Sequence, residues 1–283
     1  MIRLALPNKG RLADATLELL DEAGLGAARP ERALSTMIGD DIEAIFVRAQ
    51  DIPEFVADRA ADAGVTGWDL VLESARPLES ALDLGFGECR LVVAAREESR
   101  ITSIEEIPPG TRIATAFPRL AADFFARARK DVELVPVSGA TESAPRLGIA
   151  DAIVDLTSTG STLRGNGLRE VATVLTSTAR LIVRDTGFPT DRAVGDVRIA
   201  LESVLRARGM RYLMANVPRD RLGDLKSAVP GMDGPTISEI LNGGTMVAVH
   251  AVVPTSRVYR AVADIKGLGG SAILVTRIER LMP

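Results

Sequence analysis

The chain has one cysteine, Cys89, and one histidine, His250, among its 283 residues. A lone cysteine excludes an internal disulfide and any metal site built from several cysteines, and it suits a reducing compartment. The histidine sits in the alternating stretch "MVAVHAVVP", where it reads as a structural strand residue. Hydrolase chemistry by a serine–histidine–aspartate set and histidine metal clusters are thereby disfavoured. Aromatic residues make up 4% of the chain and the net charge is -4. With no basic stripe and few stacking platforms, nucleic acid is not expected as a partner, and an anionic ligand has to be gripped by local groups. No apolar run approaches the roughly 18 residues of a membrane span, and the opening "MIRLALPNKG" lacks an apolar signal core. These absences together predict a cytoplasmic protein with no membrane partner.

What is present is a large apolar fraction, 46%, on a chain longer than one typical domain, so two or three domains are expected. Strands alternate with helical segments: strand "IRLALP", helix "GRLADATLELLDEAG" closed by Gly24, strand "IEAIFVRAQD", helix "IPEFVADRAADAG", then "VTGWDLVLES" as a short strand, a turn and a helix start. This order favours a largely parallel sheet with covering helices. A second unit begins near "CRLVVAAREE" and continues through "TRIATAFPRLAADFFARAR", strand "VELVPVSGA", helix "TESAPRLGIA" and strand "DAIVDL", with "ARLIVRD" as a return strand. The predicted fold class is α/β, with two lobes and a cleft between them. Residues 1–90 form the first lobe, completed by roughly 184–209, and residues 91–183 form the second. Past the polar stretch "TGFPTDRAVGD" and a charged helix "VRIALESVLRARG", residues 210–283 spell β-α-β-β-α-β, the ferredoxin-like order.

The informative stretch is "DAIVDLTSTGSTLRGNG", residues 151–167. Alone, it also reads as a polar loop joining a strand to a helix. If "AIVDL" is a buried strand, however, Thr157, Ser158, Thr159, Gly160, Ser161 and Thr162 lie at its carboxyl end, the usual ligand crevice of an open α/β sheet. Backbone N–H groups, a helix start and four hydroxyls there suit a phosphate without lysine, and Gly160 permits close approach. The acceptor-only side chains of Asp151 and Asp155 would then face the vicinal hydroxyls of a phosphorylated ribose. Otherwise each aspartate is a strand-end cap or a solvated side chain.

The run from Glu142 through "ESAPRLGIADAIVDLTSTGSTL" to Leu163 resembles the signature of the ATP phosphoribosyltransferase family, with Glu142, Gly148, Asp155, Gly160 and Thr162 in register. "ALPNKGRL", "RAQDIPEFV", "GVTGWDL", "GFGECRLVVA", "RIATAFP" and the carboxyl-terminal segments extend the likeness over the whole chain, in the long form of the family. The resemblance implies two periplasmic-binding-protein-like lobes plus a regulatory domain. It also implies a Mg2+-dependent reaction in which N1 of the ATP adenine attacks C1 of phosphoribosyl pyrophosphate and pyrophosphate leaves. On this likeness Gly160 and its neighbouring hydroxyls hold the 5-phosphate, Asp155 with Asp151 or Glu142 addresses the ribose, and Lys9 and Arg11 in "PNKGRL" meet the pyrophosphate. Arg48, Asp69 and Phe117 match nucleotide positions; Phe117 stands where family members often carry tyrosine, so the ring is kept and a hydrogen bond is lost. Trp68 beside them reads as core. Feedback inhibition by L-histidine is implied at Asn216, Thr236, Ser238, Ser271 and Ala272, with exchange between dimers and hexamers. A non-enzymatic ligand sensor built from a lobe pair, and a phosphoribosyltransferase for a free base, stand as alternatives.

Overall fold

The computed structural model describes all residues except 29–33, 186–191, 230–233, 242, 243 and 283. The predicted polar stretch "TGFPTD" lies outside the described residues. The chain divides into two compact units, Met1–Arg198 and Ile199–Pro283.

Strand β1 (Ile2–Pro7) is apolar at every position but the exposed Arg3, because it is buried on both faces near the centre of a sheet. Helix α1 (Arg11–Glu22) buries Ala13, Thr16, Leu19 and Leu20, the spacing of one helical face, and ends where the N–H of Gly24 (φ +70°) meets the carbonyl of Asp21 at 2.9 Å. The chain continues through β2 (Ser35–Ile38), β3 (Ile42–Val47), α2 (Ile52–Ala57), β4 (Ala63–Gly67), α3 (Trp68–Ser74) and β5 (Leu78–Asp83). It then crosses into a second lobe: β6 (Cys89–Arg96), β7 (Thr111–Thr115), α4 (Pro118–Arg127), β8 (Val132–Pro136), β9 (Ala152–Thr157), α5 (Ser161–Gly165) and β10 (Leu168–Ser177). At Thr178 it returns: β11 (Ala179–Arg184) is inserted between β4 and β5, giving a first sheet of order β2-β3-β1-β4-β11-β5. The second sheet runs β10-β6-β9-β7-β8.

Two α/β lobes joined by two crossings are the arrangement expected. Three details differ. Ala179–Val183, placed in the second lobe on sequence grounds, belong with Arg184 to the first lobe's sheet, since Leu181 to Val183 are buried and paired on both sides. The sheets are mixed rather than largely parallel: β1 pairs parallel with β3 and β4, and β7 parallel with β8 and β9, while β2, β5, β6, β10 and β11 make antiparallel pairs. The predicted helix "TESAPRLGIA" is a single 3-10 turn, Thr141–Ser143, followed by turns, because Pro145 and Gly148 (φ +71°) interrupt any continuation.

Helix α6 (Arg192–Ala207) carries the boundary between the two units. The second unit follows as β12 (Met210–Pro218), α7 (Leu222–Ala228), β13 (Thr236–Glu239), β14 (Met246–Pro254), α8 (Val258–Gly267) and β15 (Ser271–Arg277), with antiparallel sheet order β13-β14-β12-β15. This is the predicted ferredoxin-like topology. Its core is the alternating inward set Leu213, Ala215, Val217, Val247, Val249, Ala251 and Val253, packed against Leu225, Ala261 and Ile265.

Candidate active site

Strand β9 runs parallel to β7, and its carboxyl end opens the turn Ser158–Gly160 before α5. Gly160 adopts φ +73°, a left-handed conformation that side chains disfavour. The turn is held from within. Thr157 Oγ1 accepts the N–H of Gly160 at 2.9 Å, the Thr159 and Ser161 hydroxyls lie 3.0 Å apart, and the Arg164 guanidinium donates to the carbonyl of Thr159 at 3.1 Å. Thr157, Ser158, Thr159, Ser161 and Thr162 line a pocket of about 140 Å³ together with Leu156 and Arg11. At about 30 Å³ per liquid water, that is room for four or five waters, the scale of one phosphate group. Because α5 has only five residues, its dipole is short, and loop amides and hydroxyls make up the cradle.

Asp155 lies three residues before the turn. Its Oδ1 accepts the N–H of Leu156 at 2.7 Å. Burial pushes its carboxyl above the ordinary 3.8; the facing Glu142 carboxylate adds to this, while the Leu156 N–H and the Thr141 hydroxyl oppose it. Glu142 and Thr141 come from the 3-10 turn packed against β9. Thr141 carried no sequence signal. Asp151 does not join them, and this corrects the expectation for that residue. It sits just before the amino end of β9, about 13 Å along the strand from Asp155 at about 3.3 Å per residue. There it caps the edge of β7, its Oδ2 accepting the N–H of Arg112 at 2.8 Å.

The first lobe supplies the opposite wall. Gly10 (φ +84°) turns the chain from β1 into α1, so Lys9 is exposed in the turn and Arg11, also exposed, projects from the first turn of α1 to the loop pocket. In the same turn the Oδ1 of Asn8 is buried without a hydrogen-bond partner among the described residues. Behind Arg11 lies Asp69, 3% exposed. Its Oδ1 accepts the Ser177 hydroxyl at 2.5 Å, and its backbone N–H donates to Ser177 Oγ at 3.0 Å. Burial raises the Asp69 carboxyl above 3.8, against the pull of the Ser177 bond, its own backbone N–H and the charge of Arg11. Asp69 is therefore a buried node rather than an open nucleotide contact.

A second cavity of about 660 Å³ lies between α3 and α4, with Gln50, Leu70, Thr115, Phe117 and Val137 on its walls. Phe117 is 6% exposed, because its ring belongs mainly to the second lobe's core. Trp68, expected in the core, is half-buried: it packs against the cluster of Ala5, Ile52 and Val56, with the Arg180 guanidinium 5.9 Å from its ring. Glu73, unremarked in the sequence, spans this cavity's floor. From α3 its two carboxylate oxygens accept the N–H groups of Arg119 and Leu120 in the first turn of α4, both at 2.9 Å. Arg48 is exposed at the carboxyl end of β3.

In the second unit, strand register puts Ser271, Asn216, Ala248 and Ser238 in one row across β15, β12, β14 and β13. Thr236 pairs with His250, whose Nδ1 lies 2.9 Å from the Tyr212 hydroxyl. Ala272 adopts φ +49° at an irregularity in the β12–β15 pairing.

Residues 48–204 match the family described as ATP phosphoribosyltransferase, and residues 207–280 match the family's C-terminal domain. An ATP phosphoribosyltransferase of Gemmatimonas aurantiaca is 57% identical, with both chains covered completely. One from Methanocaldococcus jannaschii is 44% identical, again over both whole chains. Among solved structures, the ATP phosphoribosyl transferase (HisG:HisZ) complex from Thermotoga maritima aligns with a TM-score of 0.62 at 28% identity, covering 71% of this chain and 99% of that one. These matches decide between enzyme and sensor in favour of the enzyme. The chain belongs to the ATP phosphoribosyltransferase family, whose reaction moves the phosphoribosyl group of phosphoribosyl pyrophosphate to N1 of the ATP adenine, with release of pyrophosphate, as the first step of histidine biosynthesis.

Proposed function

We propose that the Thr157–Thr162 loop and Arg11 grip the 5-phosphate of phosphoribosyl pyrophosphate while Asp155 and Glu142 hold its ribose hydroxyls. The observation carrying this reading is the shared pocket: a cation of the first lobe and six residues of the second line one cavity of phosphate size. Arg11 supplies a planar cationic fork to the anion. Lys9, one turn position away, is left for the pyrophosphate, and the buried acceptor of Asn8 for a ligand hydroxyl. ATP would occupy the larger cavity, its adenine against Phe117 and its phosphates toward Arg48; 660 Å³ lies within the usual range for small-molecule sites.

The reaction breaks the C1–pyrophosphate bond as N1 bonds to C1, so positive charge builds on the ribose and negative charge on the departing group. The Asp155 carboxylate stabilises the first, and Arg11 with Lys9 the second. Mg2+ fits this site as a substrate-held ion. No group of three or more metal-ligating side chains gathers among the described residues, and Mg2+ commonly keeps its waters and binds through substrate phosphates plus one or two carboxylates. When bound it would neutralise charge on the pyrophosphate oxygens. Replacing Arg11 by alanine is expected to raise the KM for phosphoribosyl pyrophosphate about tenfold or more, with the KM for ATP within about twofold, in initial-rate kinetics. Equal changes in both constants would remove Arg11 from the anion site.

L-Histidine is proposed to bind the cross-strand row of Ser271, Asn216 and Ser238 with Thr236 and Ala272, between second units of neighbouring subunits in a dimer–hexamer assembly. Exposed apolar side chains on the same sheet, Leu274 and Ile237, support a partner there. Asn216→Ala should then raise the histidine concentration for half-inhibition at least about tenfold while leaving the uninhibited kcat unchanged. Unaltered inhibition would move the effector elsewhere. A cytoplasmic location fits a biosynthetic enzyme fed by two phosphorylated metabolites.

A further inference from the structure

Helix α4 opens without a cap of its own. Its N-cap position is Phe117, whose side chain has no acceptor and makes no capping bond, although the first N–H groups of a helix lack partners within it. Pro118, at the first helical position, has no N–H. The N–H of Ala121 reaches the carbonyl of Phe117 at 3.0 Å. Two donors of the first turn remain, those of Arg119 and Leu120, and each is taken at 2.9 Å by one carboxylate oxygen of Glu73. Glu73 comes from α3, in the other lobe. Three residues earlier on the same helix face, Leu70 packs against the second lobe's core. One apolar and one charged contact therefore tie α3 to the second lobe, and a carboxylate suits the positive end of a helix dipole.

This clasp borders the cavity of about 660 Å³, whose walls come from both lobes: Gln50, Leu70 and Glu73 from the first, Thr115, Phe117 and Val137 from the second. The Phe117 backbone is bonded at its N–H to Thr115 Oγ1, 2.9 Å away, and at its carbonyl to Ala121. We propose that Glu73 is a positioning residue for the ATP subsite: by capping α4 from the opposite lobe, it fixes the backbone at Phe117 and the width of the cavity. The proposal rests on the reading of this cavity as the ATP site. Without the carboxylate, the N–H groups of Arg119 and Leu120 lose their partners, the first turn of α4 frays, and the wall carrying Phe117 shifts. The sign of the effect separates this role from that of a mere charge on the wall. A wall carboxylate repels a triphosphate, so its removal would tighten ATP binding, whereas removal of a cap loosens it.

The test is initial-rate kinetics on the full chain, with the KM of each substrate measured at saturating concentrations of the other. Glu73→Ala is expected to raise the KM for ATP about tenfold, with the KM for phosphoribosyl pyrophosphate within about twofold. Glu73→Gln keeps one acceptor oxygen and should give an intermediate rise of about threefold; it also serves as the informative variant if the alanine protein does not fold. Ser138→Trp, which puts a large side chain on the cavity's second-lobe wall, probes the ATP reading separately and should also raise the KM for ATP. If it does, and the Glu73 variants leave that KM unchanged, lower it, or raise both constants equally, the positioning role is overturned and the ATP cavity stands. If Ser138→Trp leaves the KM for ATP unchanged, the cavity reading fails and this proposal with it.

Discussion

An Asp155→Asn enzyme is expected to lose about 100-fold in kcat while binding phosphoribosyl pyrophosphate nearly normally, since removing one well-placed electrostatic stabiliser costs roughly 10²–10³ in rate. Asparagine keeps the shape and can still accept the Leu156 N–H. It cannot offset positive charge developing on C1. The carboxyl is held above its ordinary 3.8 by burial and by Glu142, so wild-type kcat/KM should fall as pH drops and Asp155 takes its proton, and the variant should lose that acid limb. The stability effect has a definite sign. A carboxyl whose pKa is raised on folding binds its proton more tightly in the native state, so its contribution is present below about 3.8 and is lost as pH rises through the folded value. The asparagine protein should therefore melt no lower than wild type at pH 7. A variant with wild-type kcat, or one that melts well below wild type, would remove Asp155 from the chemistry.

Gly160→Ala should cost even more in kcat/KM, about 10²–10³-fold, for two independent reasons. The backbone at φ +73° costs a side chain of order 1–3 kcal/mol where nothing compensates. The new Cβ would also meet Arg164 Nη1 at 2.7 Å and Glu170 Oε1 at 3.1 Å. The Arg164 guanidinium, which is bonded to the carbonyl of Thr159, and the Glu170 carboxylate, which is bonded twice to Arg90, are side-chain ends that must shift to admit it. Shifting Arg164 disturbs its bond to the turn, so weakened phosphoribosyl pyrophosphate binding should accompany the loss of rate in calorimetric titration. Tight binding retained by the alanine variant would place the anion elsewhere. Gly10 has open space around its missing Cβ, but its φ +84° and ψ -175° lie in a region that only glycine adopts readily, so alanine there meets the backbone cost alone, without a steric clash.

Legibility differed from element to element. Strands β1 and β9 stood out because central strands are buried on both faces and so read as mostly apolar runs, interrupted only by Arg3 in β1 and by Asp155 and Thr157 in β9. The six elements of the second unit were legible for the complementary reason: a four-stranded sheet covered on one face writes strict alternation into β12 and β14. Strands β2, β5 and β10 left no such mark. Each lies at the edge of its sheet, where one side of the strand has no partner and the side chains are mostly half-exposed. Such segments become strands only because a neighbour offers hydrogen bonds.

The same division runs through the site. The sequence by itself determined the hydroxyl-rich turn, the glycine on which it pivots, the acid before it and the family, because these lie within a dozen residues of one another and depend on local backbone chemistry. Tertiary structure alone decided that Arg11 reaches that turn from the other lobe, that Asp151 points to the far end of its strand, and that Asp69 is buried behind Arg11 with Ser177, 108 residues away. Proximity across a cleft and burial of a carboxylate arise from packing between distant segments, and neither leaves a periodicity or spacing in the chain.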